Sequence, residues 1–156
     1  MGQRPVVLDT SVLLSYLLNP GKAYAVREAI QPPAGMLLAV TCESVIAELR
    51  DVGLRYADVE SVDAFLREYR IIAKCFPDPP SRFIHATDPK DSQFFDLAIE
   101  ANAEAIISFD EKHILSLRDP MHPQHHELFS IVPNLRLAHP KEMALDLGRM
   151  RSSEEG

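Results

Sequence analysis

The chain has 156 residues, 46% of them hydrophobic and 25% charged, which suits one globular domain burying about two thirds of its unfolded surface. Its formal net charge of −7 argues against coating nucleic acid by bulk attraction, although carboxylates filled with divalent cations no longer carry that charge. The two cysteines, Cys42 and Cys75, stand in no CxxC pattern, which excludes a disulfide framework and a thiolate zinc site.

"RPVVLD" reads as a short buried strand ending at Asp9, with Thr10 or Ser11 capping the helix "VLLSYLL". Asp9 is the anomaly of this apolar run, because an isolated buried carboxylate costs several kcal/mol or neutralises itself. It needs a partner such as a metal or a cation. "NPG" at 19–21 stops the helix and "KAYAVREAI" restarts one. "MLLAVT" reads as a second buried strand, and "CESVIAELRDVG" has helical spacing closed by Gly53. "VESVDAFLREYRIIAKC" is a further helix running toward a strand. "FPDPPSRFIHATDP" is a Pro-broken connection with a short strand expected around Phe83–Ala86.

The clearest unit follows: helix "KDSQFFDLAIEAN", strand "AEAIIS", Phe109-Asp110 and the short helix "EKHILSL". "RDPMHPQHHELF" reads as a polar loop, "FSIV" as a strand and "PKEMALDLGRM" as a closing helix. Strands alternating with helices predict an α/β domain over residues 1–150, with a central, mostly parallel sheet of about five strands and helices on both faces. Residues 151–156 are expected to be a disordered tail. No apolar run reaches the ~20 residues of a membrane span, and Asp9 spoils the opening stretch as a signal peptide. No membrane association and a reducing, cytoplasmic setting are therefore expected.

Ligands of such sheets sit beyond the carboxyl ends of the strands, near a switch point. Asp9 and Asp110 each follow a predicted strand, Glu48 lies early in the helix after the second strand, and Asp91 begins the helix before "AEAIIS". Four acids distant in sequence can therefore meet at one rim. Taken singly, Glu48 suits a solvated helix face, Asp91 a helix N-terminus and Asp110 a turn. Asp9 has no such ordinary explanation.

Over nearly its whole length the sequence resembles the PIN-domain family of metal-dependent ribonucleases. "VVLDTSVLL" is similar to the family's opening strand with its first acid, Asp9, and "SVIAELRDV" to the motif carrying Glu48. "DPKDSQFFDLAIEANAEAIISFDEKHIL" resembles the C-terminal block of the toxin-component subgroup, with Asp91 and Asp110 as third and fourth acids. The resemblance implies a PIN-like fold and a site in which Asp9, Glu48, Asp91 and Asp110 are catalytic and hold Mg²⁺ or Mn²⁺. It implies hydrolysis of RNA to a 5′-phosphate and a 3′-hydroxyl, homodimerisation, and an antitoxin partner that blocks the acidic groove. The alternative is a non-catalytic PIN-like module that binds RNA or protein.

Around this set, Thr10, Ser11 and Ser108 can hydrogen-bond the carboxylates, with helix capping as the other reading of Thr10 and Ser11. Asp88 either joins the rim or caps the helix beginning at Pro89. Lys90, Lys112, Arg50 and Arg55 are candidate phosphate contacts, the two arginines equally readable as solvated surface. His122, His125 and His126 in "HPQHH" read as a solvated loop before a metal site. His85 and His113 lie near the rim and read as local structure, and Phe94, Phe95, Leu97 and Ile99 as core. An aspartyl phosphatase would want a second Asp where Ser11 stands, and no phosphate-binding Gly-rich loop or serine nucleophile elbow occurs.

Overall fold

Val6, Val7 and Leu8 are buried and form the carboxyl-terminal part of strand β1 (Arg4–Leu8), the central strand of the sheet. The computed structural model describes residues 3–19 and 21–155, with side chains through Ser152. On one side β1 pairs with β2 (Leu37–Cys42), and β2 with the edge strand β3 (Lys74–Phe76). On the other side it pairs with β4 (Ala105–Ile107), and β4 with β5 (Arg136–Ala138). The order is β3-β2-β1-β4-β5 and every pairing is parallel, so the sheet is wholly rather than mostly parallel. Continuous apolar strands such as "PVVL" and "AII" are what a sheet covered on both faces demands.

Seven α-helices lie among the described residues. They are α1 (Thr10–Leu18), α2 (Tyr24–Ala29), α3 (Glu43–Gly53), α4 (Val59–Ile72), α5 (Ser92–Glu100), α6 (His125–Ile131) and α7 (Pro140–Glu155). The chain steps outward from β1 to β3, then returns past β1 to β4 and steps the other way. Right-handed crossovers therefore put the helices of the two halves on opposite faces. Helix α1 packs on α3, while α5 lies against β1, β2 and β4. Gly53 ends α3 at a close approach, where an added Cβ would stand 3.2 Å from Leu17 and 3.3 Å from Val62. None of the described helices is long and apolar enough to cross a membrane.

Several local expectations are corrected. Asp9 itself caps α1, its carboxylate accepting from the Val12 N–H at 3.2 Å, while Thr10 and Ser11 turn their hydroxyls elsewhere. Helix α1 stops at Leu18, with the Asn19 N–H closing on the Ser15 carbonyl at 2.7 Å; Pro20 lies outside the described residues. No strand forms at 83–86, because that backbone is bound to side chains. The Arg82 and Phe83 N–H groups donate to Asp96, that of His85 to Ser92 and that of Ala86 to Gln124.

"FSIV" belongs to α6 and its C-cap, not to a strand; Leu128 is the side chain α6 buries. The last strand is instead "RLA", where the Arg136 N–H reaches the Glu104 carbonyl and the Ser108 N–H reaches that of Ala138. "EKHILSL" forms turns leading into a 3₁₀ segment, Leu115–Arg118. Residues 151–155, expected to be disordered, continue α7, which packs against α2 with Arg151 3.5 Å from Glu28.

Candidate metal centre

Neighbouring strands β1 and β4 lead into helices that run to opposite sides, and the crevice beyond their carboxyl ends is the switch point of the sheet. Asp9 follows β1 directly and is 4% exposed. Its Oδ1 accepts from the Ser11 hydroxyl at 2.6 Å and the Val12 N–H at 3.2 Å, and its Oδ2 from the Ser108 hydroxyl. The two serines also tie the strand ends together. Ser108 Oγ accepts from the Asp110 N–H at 2.8 Å, and Ser11 Oγ from the Phe109 N–H at 3.1 Å. Burial nevertheless pushes the Asp9 carboxyl up to about 6, against those hydrogen bonds and with Asp110 adding repulsion.

Glu48 approaches from α3, held by the Thr10 hydroxyl, which donates to its Oε2 at 2.5 Å. Asp91 ends the 3₁₀ turn Pro89–Asp91 and makes no side-chain cap bond to α5. Its Oδ2 is buried without a hydrogen-bond partner. Burial foremost, then Asp88, Asp110, Asp9 and Glu48, push its carboxyl up to about 7. Four carboxylates thus act on Asp91 across this rim, a concentration of like charge that calls for a counter-charge.

Asp88 does not cap the helix that Pro89 begins: its side chain makes no capping bond. Its carboxylate faces His113, whose Nδ1 lies 3.9 Å from Asp88 Oδ2 and 3.3 Å from Asp110 Oδ2. The His113 N–H donates to Asp110 Oδ1 at 2.9 Å. Among the described residues, the set of three potential metal donors within 4.8 Å of one another is Asp88, Asp91 and His113. From the sequence His113 reads as local structure. The available signal was its position three residues beyond Asp110, on the same side of one turn.

The basic candidates divide. Arg50 pairs with Asp63 on α4 at 3.1 Å and lines a groove with Glu43 and Arg70, away from the one that Glu48 borders. Lys90 and Arg55 line that second groove, together with Glu48 and Ser92. Lys112 is exposed in the turn between Asp110 and His113. His122 and His125 use Nδ1 locally, with the Gln124 N–H and the Leu117 carbonyl respectively.

The model of the PIN domain matches residues 5–112, from β1 through the turn carrying Asp110 to Lys112. Among curated proteins none matches the chain. With well over half its length covered, including β1 with Asp9, α3 with Glu48 and β4 with Asp110, the chain belongs to the PIN domain family.

Proposed function

We propose that the chain is a divalent-metal-dependent endoribonuclease that hydrolyses RNA phosphodiester bonds at the rim shared by Asp9, Glu48, Asp91 and Asp110. PIN domains are generally nucleases. The observation that carries the reading is Asp91 Oδ2, buried without a partner among four other carboxylates. An orphaned carboxylate oxygen inside an acidic cluster is a poor structural element and a good cation ligand. The oxygen-rich donor set suits Mg²⁺ or Mn²⁺. Asp9, Asp91 and Asp110 would hold the ion, with Glu48 reaching it directly or through water.

When bound, such an ion offsets the clustered charge, polarises the scissile phosphate and acidifies a water. The chain's own residues do the rest. Ser11 and Ser108 fix the Asp9 carboxylate and Thr10 fixes Glu48, so the donors are held before substrate arrives. Lys90 and Arg55, beside Glu48 in one groove, offer phosphate contacts that position the strand without reading its bases, and Lys112 offers another. The resemblance to toxin components supports a role as the toxin of a type II toxin–antitoxin pair. It would act in the cytoplasm as a homodimer, neutralised by a protein that blocks the acidic groove.

Cleavage of labelled single-stranded RNA by wild type and Asp9→Asn, with Mg²⁺, Mn²⁺ or EDTA, tests the proposal. Metal-dependent cleavage to 5′-phosphate ends, reduced in Asp9→Asn to the EDTA background, is expected. Equal cleavage by the variant, or cleavage undiminished by EDTA, would remove the acidic rim as the catalyst.

A further inference from the structure

We infer that His113 is a nitrogen ligand of the same ion, held with Asp88 and Asp91, so that the centre prefers Mn²⁺ to Mg²⁺. The inference rests on the proposed metal site and adds two donors, Asp88 and His113, outside its four acids. Its basis is spacing. Ligand atoms about 2.1 Å from a shared ion stand roughly 3–4.3 Å from one another, and those of Asp88, Asp91 and His113 all lie within 4.8 Å. His113 Nδ1 is 3.3 Å from Asp110 Oδ2 and 3.9 Å from Asp88 Oδ2, both longer than the ~2.9 Å of an ordinary N–H···O bond. The first is a long hydrogen bond, and both separations fall within the span of two ligands of one ion. The orphaned Oδ2 of Asp91 faces no protein donor that would compete.

His85 is 1% exposed, and its ring joins the two segments that carry Asp88 and His113. Its Nδ1 accepts from the Asp88 N–H at 3.0 Å and the Thr87 N–H at 3.3 Å, so the proton sits on Nε2. That Nε2–H donates to the His113 carbonyl at 2.5 Å. The His85 ring also packs near Phe95 and edge-on to the ring of His113. One buried imidazole therefore holds the backbone of both donors, the kind of outer support that metal ligands have. Asp88 is left with a carboxylate that does not cap its helix. Mixed nitrogen and oxygen donors favour a first-row transition ion over Mg²⁺, which takes oxygen ligands and keeps its waters.

The test is Mn²⁺ titration of the full chain followed by pulsed electron paramagnetic resonance, which detects a directly bound ¹⁴N. Wild type is expected to bind Mn²⁺ with a directly coupled nitrogen. The His113→Gln variant is expected to lose that coupling, to bind about tenfold or more weakly, and to show a smaller Mn²⁺-over-Mg²⁺ preference in competition. Mn²⁺ binding in wild type without nitrogen coupling would overturn the role of His113 and leave the carboxylate site standing. No Mn²⁺ binding in wild type would overturn the metal reading and this inference with it. Absence of nitrogen coupling in the wild-type spectrum overturns the role of His113 even if the variant folds poorly.

Discussion

Ser108 carries more of the site than its size suggests. Its hydroxyl donates to Asp9 Oδ2 and accepts from the Asp110 N–H, so one buried atom sets both carboxylates that follow the central strands. Ser108→Ala is predicted to lower stability by about 1–3 kcal/mol, through an acceptor and a donor left unpaired in a buried place. It is also predicted to weaken Mn²⁺ binding by about tenfold, because Asp9 loses its orientation. Thermal unfolding and Mn²⁺ titration of the same preparation separate the two effects, and unchanged Mn²⁺ affinity would remove Ser108 from the support of the site. At this scale the sequence was legible where a polar residue broke an apolar pattern. Asp9 stands out against the apolar residues on either side of it, although it also caps α1, and the acid after "AIIS" follows from the end of a strand. The approach of His113 to Asp88 was not legible, since it depends on a clamp from His85 in a loop whose path no periodicity describes.

The elements show the same division. Strands β1, β2 and β4 are buried on both faces and read as short apolar runs, and α3, α4 and α5 carry helical spacing over nine or more residues. The weak readings are the ones with little burial to write a pattern. Helix α6 has seven residues and buries Leu128 alone, too short for a 3.6-residue period to stand out from a loop. The connection from Phe76 to Asp88 forms no strand at 83–86, because its amides are taken by side chains of α5 and by Gln124. Asp96 is the chief of these, 7% exposed, accepting the Arg82 N–H at 2.7 Å and the Phe83 N–H at 2.9 Å. Asp96→Ala removes the acceptor of one buried and one half-buried amide and is predicted to cost about 2–4 kcal/mol. It should also make the 77–88 connection sensitive to protease, since Phe83 and the loop ahead of His85 lose their anchor. A variant as stable and as protease-resistant as wild type would show that the Phe83 contact with Phe95 holds the loop unaided.

For the whole molecule, the acidic rim is a destabilising feature that the rest of the core carries, and its cost depends on pH. Asp9 rises from an ordinary 3.8 to about 6, and Asp91 from 3.8 to about 7. A carboxyl raised in the folded state binds its proton more tightly there than in the unfolded chain. The stability it contributes is complete below about pH 4 and is lost as pH rises through 6 and 7. For Asp9, buried almost entirely, the loss amounts to about 3 kcal/mol. The carboxyls held low act in the opposite sense and in another window: Glu43 by Arg70, Asp58 by the Ser61 N–H and Glu142 by Arg118 lose their contribution only as pH falls below about 4.5. Between pH 5 and 7 the rim therefore dominates among the acids. Without metal, the unfolding free energy of wild type is predicted to fall across that range. Asp9→Asn should fall less, and at pH 8 should be more stable than wild type by about 1–3 kcal/mol, because Asn keeps the cap on Val12 without the buried charge. Both chains carry the same six histidines, so the difference between their slopes reports Asp9. Mn²⁺ at a hundredfold excess over its dissociation constant adds about 2.7 kcal/mol to a chain that binds it folded, and should restore wild type at pH 8 far more than Asp9→Asn. Parallel pH profiles for the two chains would mean that the charge of Asp9 is already neutralised by the protein itself, leaving no electrostatic demand for a cation there.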